Sequence, residues 1–159
     1  MDMVYWLIPG RLGARPGPNK EPWDLTELKT SGVSLVVSLS ERMLNRSDEF
    51  AALGIDHVCL PLPKSVPPKR GDALDIEYIL PHVFEIVAHH LATDAGHCVL
   101  VHCSSGKDRS GLFLTYFLMR SEHVPLEAAL NRVKQIQPKL LTARGWWEMG
   151  QQVLTSLSE

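Results

Sequence analysis

Residues 98–119 of the chain read CVLVHCSSGKDRSGLFLTYFLM, a polar segment between two apolar runs. The first run, 98–101, has the length and composition of a buried strand. The second run, 112–119, is apolar on every side, which predicts a helix buried all round. The residues from His102 to Gly111 would therefore form a tight loop that leads from a strand into a helix.

A loop of this kind can bind an anion. It turns successive backbone N–H groups inward and has the positive end of the helix dipole beside it. The same field favours the thiolate of Cys103, and the guanidinium of Arg109 can bind two phosphate oxygens at once. The pattern predicts that Cys103 is a nucleophile next to a phosphate-binding loop, which consists of Ser104, Ser105, Gly106, Lys107, Asp108 and Arg109.

Three neighbours of the nucleophile have more specific expected roles. Gly106 lets the loop bend without steric cost. Ser110 is expected to donate a hydrogen bond to the sulfur of Cys103 and to ease its departure from a phosphocysteine. His102 is expected to order the loop backbone rather than to act as a base.

Apolar runs alternate with helical patterns along the rest of the chain, which predicts an α/β fold: a central, mostly parallel sheet flanked by helices, with a helix-rich C-terminal half. Ser47 and Asp72 are expected to cap helices, and Pro81 to kink or break one. Strands are predicted at 4–8, 33–39, 55–60 and 98–101, and helices at 22–29, 47–53, 72–92, 112–119, 126–136 and 142–157.

Composition sets further expectations. The 159 residues fit one domain, 1–159, and 45% hydrophobic with 21% charged residues is ordinary for a soluble globular protein. A net charge of −2 gives no overall attraction to nucleic acid or anionic membrane. No apolar run approaches the roughly 20 residues that span a bilayer, and no leader pattern is present. We therefore expect a cytoplasmic location, no nucleic-acid partner and no stable membrane insertion; the oligomeric state is open.

The cysteines predict reduced thiols. Three is an odd number and no spacing resembles a zinc site, so neither a metal nor a cofactor is expected. Cys98 and Cys103 would lie roughly 16 Å apart along one strand, too far for a bridge within it. A regulatory disulfide from Cys59 or Cys98 to Cys103 is the alternative.

Cys103, Arg109 and Ser110 match the Cys-x5-Arg-Ser/Thr signature of the protein tyrosine phosphatase superfamily. The opening segment, 6–12 (WLIPGRL), and 36–41 (VVSLSE) resemble the small atypical dual-specificity phosphatases, and the resemblance covers about residues 5–157. It implies a protein tyrosine phosphatase-like fold and a two-step transfer in which Cys103 attacks phosphorus and water then hydrolyses the phosphocysteine.

The sequence departs from the pattern of that family at one catalytic position. In that family an Asp on a separate loop protonates the leaving oxygen, and Leu62 stands at the matching position. Asp108 is the favoured replacement, because a Lys-Asp-Arg loop ending resembles certain bacterial phosphatases in which the loop Asp is proposed as the acid. Asp72 and Asp75 are the other candidates.

Three functions stay open at this stage. The chain has no room for the added elements that build a deep phosphotyrosine pocket in the larger classical enzymes, so the resemblance implies a shallow site that accepts phosphotyrosine, with phosphoserine and phosphothreonine as further substrates. Lys107 and Asp108 favour a phosphoinositide phosphatase as an alternative, and Leu62 favours a phosphate-binding pseudophosphatase. The expected partner is a phosphorylated protein or a phosphoinositide. A basic set in the Pro-rich loop (Lys64, Lys69 and Arg70) would add to the site or form a solvated surface.

Overall fold

The computed structural model of the protein describes residues 1 and 3–159. Its strands form one sheet in the order β1-β2-β5-β3-β4. The strands are β1 (Tyr5–Ile8), β2 (Leu12–Arg15), β3 (Leu35–Ser38), β4 (Asp56–Cys59) and β5 (Val99–His102). The helices are α1 (Leu25–Thr30), α2 (Ser47–Ala52), α3 (Asp72–Thr93), α4 (Arg109–Glu122), α5 (Leu126–Ile136) and α6 (Trp146–Leu157), and a 3₁₀ helix (Glu41–Arg46) precedes α2.

The sheet is mostly parallel, as predicted. β5 pairs in parallel with both β2 and β3, and β3 pairs in parallel with β4. Among the strand pairs that the structure describes, only the β1–β2 hairpin is antiparallel. With helices α3 to α6 filling the C-terminal half, the predicted α/β architecture is confirmed.

Alternating side chains of the central strands enter two separate cores, because successive strand residues point to opposite faces. Val99 and Val101 belong to the larger core, with α3, α4, α5 and α6. Leu100 belongs to a smaller core that includes Leu28 of α1 and Phe50 of α2. The sheet is therefore covered on both faces.

Several local predictions are wrong. The strand Leu12–Arg15 was not predicted. It has only four residues, and Gly10 and Gly13 give this stretch the sequence pattern of a turn. Ser47 does not cap α2; it is the first residue of the helix and follows the 3₁₀ helix directly. Asp72 does not cap α3 either: its Oδ2 accepts from the Lys69 backbone N–H at 2.7 Å.

Two helix predictions are corrected in part. α3 runs from Asp72 to Thr93 without a break at Pro81. The last helix begins at Trp146, four residues later than predicted, because Gly145 at φ +83° ends the preceding turn. Helix α5 and the all-round burial of the first half of α4 are as predicted.

Candidate active site

The carboxyl ends of the parallel strands lie beside a cleft of about 970 Å³. Sheet register places Ser38 and Arg15 on either side of His102, the last residue of the central strand. The following residue, Cys103, lines the cleft together with the loop that leads into α4. This is the edge at which parallel α/β sheets bind ligands.

The predicted nucleophile and the predicted phosphate-binding arginine share this cleft. Cys103 is 2% exposed and Arg109 is 9% exposed, and both line the cleft wall. The guanidinium of Arg109 is positioned by a hydrogen bond, in which its Nη1 donates to the carbonyl of Leu39 at 3.3 Å. The remaining N–H groups of the guanidinium are available to an anion.

The loop backbone has the form of an anion site. Among the described residues, the backbone amides of residues 104–108 donate no hydrogen bond to the protein. Gly106 has φ +76°, and a Cβ there would lie 3.0 Å from the backbone of Arg15 and Pro16. Glycine is thus required both by the left-handed conformation and by the close approach of β2.

Side chains from distant parts of the chain brace this loop. The hydroxyl of Tyr5 donates to the carbonyl of Gly106 at 2.5 Å, and Gln137 Nε2 donates to the same oxygen at 3.3 Å. Asn19 Nδ2 donates to Ser104 Oγ at 2.7 Å. Burial, together with the charge of Cys103, raises the pKa of Tyr5, so its phenol remains a donor at neutral pH. The sequence carried no signal for these contacts.

The segment before α1 packs directly on the first loop peptide. Gly17 N–H donates to the carbonyl of Ser104 at 2.8 Å. A Cβ on Gly17 would overlap the carbonyl oxygen of Cys103 well inside 3.0 Å, so only glycine fits there. Trp23 completes the contact: its Nε1 donates to the carbonyl of Pro16 at 2.9 Å, and its ring lies edge-on to His102.

His102 lies behind the loop, not in the cleft. It is fully buried, and its Nδ1 bonds the carbonyl of Cys103 at 3.0 Å. Burial lowers the pKa of His102 to about 4, so the imidazole is neutral at pH 7. It orders the loop backbone, which is the role that the sequence suggested.

Ser110 does not make the hydrogen bond that we expected. Its side chain is fully buried in the first turn of α4, and its Oγ has no hydrogen-bond partner among the described residues. The predicted bond to the sulfur of Cys103 is therefore absent in this structure.

The fold places only one of the three predicted proton-donor candidates in the cleft. Asp108 lines the cleft and is already paired: its Oδ2 accepts from Lys107 Nζ at 2.7 Å and its Oδ1 from the Ala143 backbone N–H at 3.4 Å. Asp72 and Asp75 do not line this cleft; Asp75 lines a smaller adjoining hollow. Leu62 is buried in the cleft wall and provides no proton.

The structure adds an acidic residue that sequence reasoning missed. Glu41, the first residue of the 3₁₀ helix, is exposed and lines the cleft. It lies three residues beyond Ser38, the last residue of β3, so a search for carboxylates near strand ends would have found it. Glu41 joins Asp108 as a possible proton donor.

Cationic side chains surround the same cleft. Lys20, Arg42 and Lys64 line it, and none of them makes a salt bridge within the described part of the chain. Lys69 and Arg70 do not line it, so the predicted basic set contributes one member and the other two are exposed loop residues. Two hydrophobic side chains of the cleft wall, Leu44 and Val66, are each 58% exposed.

Comparison with known proteins agrees with this geometry. The family model for the dual specificity phosphatase catalytic domain matches residues 19–151. Phosphatidylglycerophosphate phosphatase PTPMT1 of Arabidopsis thaliana is 28% identical over 141 residues, which are 86% of this chain and 38% of that protein. The chain spans less than half the length of the curated relatives it matches.

Solved structures show the same fold. Tk-PTP in the active form superposes with a TM-score of 0.74 at 24% identity, covering 98% of this chain and 96% of that one. PTPMT1 in complex with PI(5)P superposes with a TM-score of 0.70 at 18% identity, covering 97% and 96%. The chain belongs to the dual specificity phosphatase catalytic domain family. It is a small atypical member of the protein tyrosine phosphatase superfamily, which confirms the resemblance seen in the sequence.

Proposed function

We propose that this chain is a cysteine-dependent phosphatase, with residues 1–159 acting as a single phosphatase domain. Its substrates are phosphotyrosine and, in a shallow site, phosphoserine and phosphothreonine monoesters of proteins. The observation that carries the proposal is that Cys103 and Arg109 lie in one cleft with the loop amides of residues 104–108, which donate to no described residue of the chain. A cytoplasmic location is proposed with it, on the basis of three free cysteines.

The proposed reaction has two displacements at phosphorus. The Cys103 thiolate attacks the phosphoryl group, the bond from phosphorus to the leaving oxygen breaks, and that oxygen takes a proton. Arg109 and the amides of Ser104, Ser105, Gly106, Lys107 and Asp108 stabilise the equatorial oxygens. Water then attacks phosphorus, the P–S bond breaks, and inorganic phosphate leaves. Ser110, whose buried hydroxyl has no hydrogen-bond partner within residues 1 and 3–159, would donate to the departing sulfur.

Asp108 is the proposed proton donor for the first step. It lines the cleft beside Cys103, whereas Asp72 and Asp75 do not. Its carboxylate is paired with Lys107 in this structure. A substrate phosphate would compete with Asp108 for this cation and so free the carboxyl group to act on the leaving oxygen.

A phospholipid or phosphoinositide phosphate is the second candidate substrate. The cations Lys20, Arg42 and Lys64 make no salt bridge with the described residues and suit a substrate with a second anionic group. The exposed Leu44 and Val66 at the same cleft suit acyl chains or a lipid surface. Two of the relatives are named for, or hold, such lipids. No helix of residues 1 and 3–159 has the length and apolar character to cross a bilayer.

The first experiment separates an enzyme from a phosphate-binding pseudophosphatase. Purified wild-type protein and Cys103→Ser are assayed on para-nitrophenyl phosphate, with Cys98→Ser as a matched control at the other end of β5. We expect turnover by the wild type and the control, and none by Cys103→Ser. Equal, negligible turnover by all three would refute the phosphatase and favour the pseudophosphatase instead.

The second experiment separates the substrate classes. The wild type is compared on phosphotyrosine, phosphoserine and phosphothreonine peptides, phosphoinositides and phosphatidylglycerophosphate in mixed micelles. Lys64→Ala should raise the KM for a doubly anionic lipid about tenfold and leave phosphopeptides unchanged, since it removes one direct ion pair. Lys69→Ala is the matched control, because Lys69 belongs to the same loop but lies outside the cleft. Preferential hydrolysis of phosphopeptides, with no change in KM for the lipid in Lys64→Ala, would favour the protein substrate.

A further inference from the structure

A row of polar side chains crosses the sheet behind the phosphate-binding loop. His102 Nδ1 lies 3.0 Å from the carbonyl oxygen of Cys103, and its Nε2 lies 2.5 Å from Ser38 Oγ. The same Ser38 oxygen lies 2.8 Å from His57 Nε2. His57 Nδ1 lies 2.9 Å from Ser47 Oγ. These side chains connect the exposed start of α2 with the first peptide of the loop.

The hydrogens of the inner part can be arranged in only one way. The carbonyl of Cys103 only accepts, so Nδ1 of His102 must carry a hydrogen. Burial keeps His102 neutral, with its pKa near 4, so Nε2 has a lone pair and accepts from Ser38. A serine hydroxyl has one hydrogen. Ser38 has therefore used its only hydrogen on His102, and His57 Nε2 must donate to Ser38.

The hydrogen bond between His57 and Ser47, at the exposed end of this row, can reverse its direction. Neutral His57 accepts at Nδ1 from the hydroxyl of Ser47. Protonated His57 donates there instead, and Ser47 can then donate to the carbonyl of Leu44 at 3.4 Å. In both states His57 Nε2 donates to Ser38, so the inner hydrogen bonds keep their direction. Ser47 is exposed and water can replace it, whereas Ser38 is fully buried.

We propose that Ser38, oriented by His57, is a positioning residue that holds His102 as its Nδ1–H tautomer and thereby fixes the first peptide of the phosphate-binding loop. The consequence follows from peptide geometry. In a trans peptide the C=O and N–H groups point in opposite directions. Fixing the Cys103 oxygen against His102 directs the Ser104 N–H away from His102, toward the inside of the loop. The kinetic part of the proposal rests on the proposed role of Cys103 as nucleophile.

The tautomer is measured directly, without any activity. In wild-type protein labelled with ¹⁵N, long-range ¹H–¹⁵N correlation spectra at pH 7 should show His102 as neutral, with a protonated Nδ1 and a bare Nε2. His57 should show a protonated Nε2. A protonated Nε2 on His102 would overturn the proposal, whether or not the protein is a phosphatase.

The kinetic test uses paired variants. Ser38→Ala should lower kcat about tenfold to a hundredfold, with KM within about twofold, because a loop peptide is displaced by a fraction of an ångström. His57→Gln keeps an amide N–H donor and should retain kcat within about threefold, while His57→Ala should behave like Ser38→Ala.

The control breaks a similar bond at the far end of the same sheet. Ser34 Oγ lies 2.8 Å from His90 Nε2, and Ser34→Ala should leave kcat and the His102 spectrum unchanged. Equal kcat for Ser38→Ala and Ser34→Ala, or a failure of His57→Gln to exceed His57→Ala, would refute the positioning role. A wild type that is inactive while His102 shows the expected tautomer would refute the proposed function and leave the hydrogen-bond arrangement standing.

Discussion

Substituting Gly17 by alanine tests whether the segment before α1 sets the shape of the active site. The new Cβ would overlap the Cys103 carbonyl oxygen well inside 3.0 Å and lie 2.9 Å from Asn19 Oδ1. The backbone of Gly17 is not in the left-handed region, so the effect is one of packing alone. Because the obstructing atom is backbone, the first loop peptide must move by several tenths of an ångström to about 1 Å. A displacement of that size costs on the order of a hundredfold in rate, about 2.7 kcal/mol of barrier.

Gly17→Ala is expected to affect the stability of the fold less than it affects the catalytic rate. Overpacking of this kind costs about 1–3 kcal/mol, and each kcal/mol lowers the Tm of a domain this size by about 2–4 °C. We therefore expect Gly17→Ala to remain folded at 25 °C while its kcat/KM on para-nitrophenyl phosphate falls about a hundredfold.

Gly32→Ala is the matched control for this variant. Gly32 has φ +93° and no atom within 4 Å of an added Cβ. This change costs backbone strain of about 1–2 kcal/mol but does not touch the loop, so kcat/KM should stay within twofold of the wild type. If Gly17→Ala, folded by circular dichroism, also stays within twofold, the close approach does not shape the site and our reasoning is refuted.

Asp108→Asn should lower kcat for phenyl phosphate about a hundredfold and remove the alkaline limb of its pH profile, while Glu41→Gln stays within twofold; the opposite result would make Glu41 the acid. His102 has its pKa lowered to about 4 by burial, so the unfolded chain, with a pKa near 6.5, binds a proton that the folded chain excludes. The contribution of His102 to the free energy of unfolding is fully present above about pH 6.5, and about 3 kcal/mol of it is lost as the pH drops to 4. His102→Asn should flatten this fall in urea titrations, and an unchanged slope would contradict the assignment. Tyr5→Phe removes a hydrogen bond to Gly106, which should cost about 1 kcal/mol and 2–4 °C in Tm; an equal Tm in calorimetry would contradict the bracing role.

The chemistry of the site could be predicted from local sequence because its main parts are contiguous. A strand, a loop and a helix run consecutively from Val99 to Glu122. Backbone amides, a helix dipole, Cys103 and Arg109 therefore come together whatever the rest of the chain does. The alternating pattern of the other elements likewise determined the α/β class, because periodicity reports which faces are buried.

Short elements were missed where local signals conflict with tertiary pairing. β2 contains Gly13 and has only four residues, and it forms because its backbone pairs with both β1 and β5. The start of α6 was placed at 142 because helix propensity does not show that Gly145 adopts a left-handed turn. Such boundaries depend on contacts that a sequence window does not contain.

The surroundings of the loop were decided by tertiary structure alone. Tyr5, Gly17 and Ser38 lie 65 or more residues from Cys103 in sequence, yet the sheet order brings the ends of β2 and β3 to either side of β5. The proposed assignment of the proton donor also depends on tertiary structure, because only the folded chain shows which carboxylates line the cleft. The sequence by itself predicted Cys103 as the nucleophile, Arg109 as the phosphate ligand and the anion-binding loop, because these need only neighbouring residues. Which side chains brace that loop, set the tautomer of His102 and surround the substrate depends on long-range packing, which only the folded chain specifies.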